Sequence, residues 1–101
     1  MKTFDEIKKT SDKEEILNYW LADCDDELFR PLVEKAVGGN NFAQQRLAFY
    51  YQMKKAKLDI SDEKGKKECQ LKSAYWTNKA ADNGNAEAQS ELNYQMWRNG
   101  H

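Results

Sequence analysis

The chain repeats itself: Ala36, Gly39, Asn40, Ala43, Gln44 and Leu47 return 45 residues later as Ala81, Gly84, Asn85, Ala88, Gln89 and Leu92. A fixed period of this length marks architectures in which a helix pair cannot bury its apolar face alone and must stack on a neighbour. Such arrays usually work by presenting a surface to another macromolecule, so the repeat points toward binding rather than chemistry.

Helix signals along the chain fit that reading. Residues 3 to 22 read as one or two helices, with Ser11 as cap and Glu14 completing a capping box before Ile16, Leu17, Tyr19, Trp20 and Leu21. The acidic stretch Asp23 to Glu27 favours the positive end of a helix running to about Val37, with Pro31 in its first turn. Gly38-Gly39 offers a left-handed stop, and Asn40 or Asn41 caps a helix carrying Ala43, Leu47, Tyr50 and Tyr51. Residues 54 to 67 read as an exposed lysine-rich connection with Ser61 or Asp62 as local cap. A helix from about Lys66 to Asn83 follows, then Gly84-Asn85 repeats the cap and a last helix turns Ala88, Leu92 and Met96 inward. Small pairs, Ala36 with Ala43 and Ala81 with Ala88, let the helices of each hairpin approach closely.

At 101 residues the chain supports one domain with a core of a few stacked helices. It is polar, but 12% aromatic residues supply apolar surface for packing. A net charge of -1 conceals an asymmetry: residues 1 to 34 sum to -5, residues 35 to 79 to +6 and residues 80 to 101 to -2. A charge dipole of this kind orients a charged partner during encounter, and the overall balance is not that of a nucleic-acid binder. The amino terminus turns acidic at once without a signal-like apolar run, so the expected location is cytoplasmic. Cys24 and Cys69 have no metal-binding or redox spacing, and in a reducing compartment both stay thiols. The only histidine, His101, is the last residue, a position suited to a tag remnant and poorly suited to catalysis.

The pattern Trp76-x-x-Lys79-Ala80-Ala81-x-x-Gly84-x-x-x-Ala88-x-x-x-Leu92 resembles the Sel1-like repeats, relatives of the tetratricopeptide repeats. The first copy keeps Lys35-Ala36-x-x-Gly39-x-x-x-Ala43-x-x-x-Leu47-x-x-x-Tyr51, while Pro31 stands where the second has Trp76, and Met96 where the first has Tyr51. The resemblance implies an all-α domain, a short right-handed α/α solenoid of about two helical hairpins acting as an adaptor. Its expected layout is an amino-terminal capping region over 1–28, a first repeat core over 29–53, a lysine-rich connection over 54–65 and a second repeat core over 66–98. The capping helix is expected to cover one open end of the stack.

Three constellations invite chemistry and each has a plainer explanation. Ser61-x-x-Lys64 has the spacing of a lysine-activated serine nucleophile, the enzyme alternative being a hydrolase of the penicillin-binding type, but no companion motif exists and a serine before acids is an N-cap. Asp23, Asp25, Glu27 and Glu34 fall at calcium-loop positions, yet Leu28 occupies the obligatory glycine and the stretch reads as capped helix. The lysines at 54, 55, 57, 64, 66, 67 and 72 lack interleaved aromatic residues for stacking nucleic acid and read as solvated surface. No catalytic residue, cofactor or metal is therefore expected.

The expected function is protein binding by a small dedicated binder, such as an immunity protein neutralising a cognate bacterial toxin, for instance a nuclease. The alternative is a regulatory adaptor that holds a peptide of a cellular protein. Asp23, Asp25, Asp26 and Glu27 would mimic the phosphates that a basic toxin domain recognises. Neighbouring aromatics such as Tyr50-Tyr51 and Tyr75-Trp76 cannot both face inward on a helix, which puts Tyr50 and Tyr75, with Trp97, on the expected partner surface.

Overall fold

The computed structural model describes residues 2–99, apart from the side chains of residues 95, 96 and 99. The inward placement expected of Met96 and the reading of His101 lie outside the described residues. The described chain is all-helical, with six helices: α1 (Phe4–Lys9), α2 (Lys13–Asp23), α3 (Arg30–Val37), α4 (Asn41–Lys57), α5 (Glu63–Asp82) and α6 (Ala86–Asn99). Each helix packs chiefly on its neighbours in sequence, and the most extensive packing is between α4 and α5.

The two copies of the repeat close their turns in the same way. Gly39 and Gly84 take φ of 106° and 93°, the left-handed region where a side chain is strained. The Asn40 amide donates to Lys35 O at 3.0 Å and the Asn85 amide to Ala80 O at 2.9 Å, while Gly39 N and Gly84 N each reach the carbonyl three residues back at 3.1 Å. This pair of bonds is the Schellman closure that satisfies the last carbonyls of a helix. Asn40 Oδ1 and Asn85 Oδ1 then accept the Ala43 and Ala88 amides, both at 2.9 Å, and cap the following helix. Ala36, Ala43 and Ala88 are buried, as close approach within the hairpins requires.

The amino-terminal segment contributes to the core. Trp20 of α2 is fully buried and its ring lies 5.6 Å from that of Tyr51 on α4 and 5.0 Å from that of Trp76 on α5. Phe4 of α1 closes the cluster, 5.7 Å from Trp20 and 5.8 Å from Tyr75, both edge-on. Edge-to-face pairs set the positive rim of one ring against the negative face of another, so the cluster fixes orientation as well as burying area.

Several local expectations are corrected. Asp12, not Ser11, caps α2, accepting the Glu14 and Glu15 amides at 3.0 and 3.3 Å, while the capping box belongs to α1 through Thr3 and Glu6. The acidic stretch precedes α3 rather than opening it: Asp26 Oδ1 accepts the Leu28 amide at 2.8 Å and Asp26 O the Arg30 amide at 2.8 Å, forming a turn before Pro31 enters the first turn. The lysine-rich connection shrinks to residues 58–62, because α4 runs on to Lys57 and α5 starts at Glu63 under an Asp62 cap that accepts the Gly65 amide at 2.9 Å. Lysines are good helix formers and the cations at 54, 55 and 57 suit the negative end of α4, so the segment extends two helices.

Candidate functional site

The expected site residues separate into three groups. Tyr50 is 5% exposed and Tyr51 0%, so Tyr50 is not a surface anchor. Both neighbours are buried because α4 is flanked by α3 on one side and α5 on the other, and Phe29 packs on the Tyr50 ring at 5.1 Å. Tyr75 is half-buried in the aromatic cluster, where loss of water pushes its phenol up. Trp97 is 64% exposed on α6.

The acidic segment is largely engaged inside the molecule. Asp23 accepts the Tyr51 hydroxyl at 2.6 Å and the Lys72 ammonium at 2.9 Å, and Asp25 accepts the Tyr50 hydroxyl at 3.1 Å. Lys72 is 4% exposed, its ammonium shared with Glu68 at 2.8 Å and placed 5.5 to 6.0 Å from the rings of Tyr19, Phe4 and Tyr51. Burial opposes that charge, but the hydrogen bonds it donates to Glu68, Asp23 and Tyr19 outweigh it and raise the lysine above its ordinary value. Burial and then the Asp23 carboxylate push the Tyr51 phenol up in turn. This network joins the end of α2 to α4 and α5. Asp26 is used in its turn, and Asp25 and Glu27 are the exposed acids of the stretch. Among the described residues no group of three or more His, Cys, Asp or Glu is placed to hold a metal ion.

Ser61 donates its hydroxyl to Asp59 Oδ1 at 2.8 Å and its amide to the same oxygen at 2.9 Å. Those two bonds hold the Asp59 carboxyl below its usual value, and the serine serves the turn between α4 and α5.

A different surface emerges from the repeat. Phe49 on α4 and Tyr94 on α6 are 45 residues apart, the same repeat position, and both are exposed, at 49% and 59%. Tyr94 pairs with Trp97 at a ring distance of 6.2 Å. Gln52, one turn beyond Phe49, and Arg98, one turn beyond Tyr94, share those helix faces and line a groove of about 590 Å³. Its other walls are Lys55 of α4 and Gln70, Ser73, Ala74 and Thr77 of α5. Small side chains on α5 leave the depression: Ser73 turns its hydroxyl to Ala48 O at 2.9 Å and Thr77 is buried. Gln52 Nε2 donates to Glu91 Oε1 at 3.1 Å and ties α4 to α6, and Lys55 Nζ donates to Gln70 Oε1 at 3.0 Å. Among the described residues that line the groove none is a carboxylate.

Phe49 and Tyr94 were not singled out by sequence reasoning. The signal that would have selected them was the 45-residue offset, which keeps an aromatic side chain at one position of both copies although the core does not use it. Comparison with protein-family models, with curated proteins and with solved structures gave no match.

Proposed function

We propose that the chain is a non-enzymatic protein-binding module, a short solenoid of about two Sel1-like hairpins that serves one dedicated partner in the manner of an immunity protein holding a toxin. The observation that carries this reading is the exposed aromatic at the same repeat position of both copies, Phe49 and Tyr94, on the faces that border the groove. Aromatic side chains left in water are costly and are favoured anchors at interfaces, where they bury large area with little loss of side-chain freedom. The matched turn closures of the two copies support the solenoid, and a platform of two hairpins suits one partner better than many. The form in which Asp23 to Glu27 mimics phosphate for a basic toxin is less favoured, since Asp23, Asp25 and Asp26 already accept internal hydrogen bonds. The test is capture of bound protein by the tagged full chain, compared with a Phe49→Ser, Tyr94→Ser variant. One tightly held toxin domain, lost in the variant, supports dedicated inhibition; several weakly held cellular proteins favour the regulatory adaptor; recovery that ignores the variant rejects this surface.

A further inference from the structure

The groove between α4, α5 and α6 has a sign. The geometry points to a binding site for an acidic segment of a partner protein, its carboxylates meeting Lys55 and Arg98 and its apolar side chains resting on Phe49, Tyr94 and Trp97, an inference that rests on the protein-binding reading above. Lys55 and Arg98 both line the groove, and neither is among the ion pairs of the described residues. The carboxylates of the described ion pairs lie elsewhere: Asp23 and Glu68 hold Lys72, Asp5 holds Lys8, and Glu15 holds Lys2. Lys55 Nζ donates to the neutral amide oxygen of Gln70, a contact that an incoming carboxylate can replace with a stronger, charge-assisted bond.

The floor fits the same ligand. Ser73 and Thr77 are buried, so what an occupant meets on α5 is a small-residue depression flanked by the longer Gln52 and Gln70, whose amides can serve a peptide backbone. A groove whose described lining holds two cations and no carboxylate attracts anions and repels basic segments. Two cations are too few to follow a phosphate backbone, which makes an acidic peptide with apolar residues a better occupant than a nucleic acid.

The experiment measures fluorescence anisotropy of a labelled peptide of repeating Glu-Glu-Leu with the full chain at low ionic strength, beside a Lys-Lys-Leu peptide and a single-stranded DNA of matched charge. The expected result is saturable one-to-one binding of the acidic peptide alone, weakened at least about tenfold by Lys55→Glu with Arg98→Glu and little changed by Lys64→Glu with Lys67→Glu, the same charge change outside the groove. Circular dichroism melts establish that both variants stay folded. Absence of binding, equal weakening by the two variants, or tighter binding of the DNA overturns the inference. Partner capture that depends on Phe49 and Tyr94 but not on Lys55 and Arg98 overturns it too, while leaving the protein-binding reading in place.

Discussion

Gln44 and Gln89 donate the same hydrogen bond, each side-chain amide reaching the carbonyl eight residues earlier, Ala36 O at 2.8 Å and Ala81 O at 3.0 Å, yet only Gln44 is buried. Gln44 also accepts from Asn83 Nδ2 at 3.0 Å, and Asn41 Nδ2 donates to Asn83 O at 2.9 Å beside it. In the first copy the glutamine thus joins its own hairpin to the next. In the second copy it only closes a turn.

Replacing each glutamine by alanine should separate these roles. Gln44→Ala empties a buried site, leaves the Ala36 carbonyl to the Gly39 amide and unties the Asn83 side chain from α4, and should cost about 2 kcal/mol, whereas Gln89→Ala, with water at hand, should cost about 0.5 kcal/mol or less. Urea unfolding of the two variants measures the difference.

Lys72 is the second point of strain on tolerance. Lys72→Ala removes the cation from between Asp23 and Glu68 and should destabilise the domain by about 3 kcal/mol, chiefly because the Asp23 carboxylate, still holding the Tyr51 hydroxyl, loses its cation. Lys72→Met, which keeps the packing against the Phe4 and Tyr19 rings, should recover part of that loss in the same unfolding measurement.

The same network sets an alkaline limit. The ordinary values are 10.0 for Tyr50 and Tyr51 and 10.5 for Lys72, and the fold raises all three. Above pH 10 the unfolded chain therefore releases protons that the native state retains, so the slope of stability against pH is negative. Stability from these groups should be complete below pH 10 and fall as pH rises beyond it, with the fall reduced in Tyr51→Phe. Thermal unfolding followed across that range checks the sign.

Cys24 and Cys69 are buried free thiols, and burial is the main cause that pushes both above the ordinary 9.0. A thiol reagent should label neither at a rate comparable to free cysteine until the domain unfolds. Trp20→Ala, which empties the centre of the aromatic cluster at a cost of about 4 kcal/mol, should expose both to rapid labelling.

Much of this architecture was legible because it depends on residues with few alternatives. Gly39 and Gly84 are needed where φ is positive, Asn40 and Asn85 where an amide needs a short acceptor, and their recurrence at a fixed spacing marked both hairpin turns. Pro31 was placed in a first turn by its missing amide hydrogen. What was illegible depended on tertiary neighbours. Asp12 and Ser11 are equally good caps by composition, and it is the Asp12 carboxylate that the backbone sets against the Glu14 and Glu15 amides. Tyr50 faces inward although Tyr51 does too, because a helix held on two sides has two buried faces. Asp23 to Glu27 looked like a free acidic surface until Lys72, 49 residues from Asp23, and two tyrosine hydroxyls claimed its carboxylates. The exposed pair Phe49 and Tyr94 was within reach of the 45-residue offset alone, because both are aromatic at one repeat position and neither belongs to the core.

The most direct test of the binding account is photo-crosslinking in living cells from a benzophenone side chain placed at Tyr94, with the same group at Leu28, 82% exposed beside the acidic segment, as comparison. The account predicts one discrete crosslinked partner from position 94 and none from position 28. A partner captured only from position 28, or none from position 94, would contradict it.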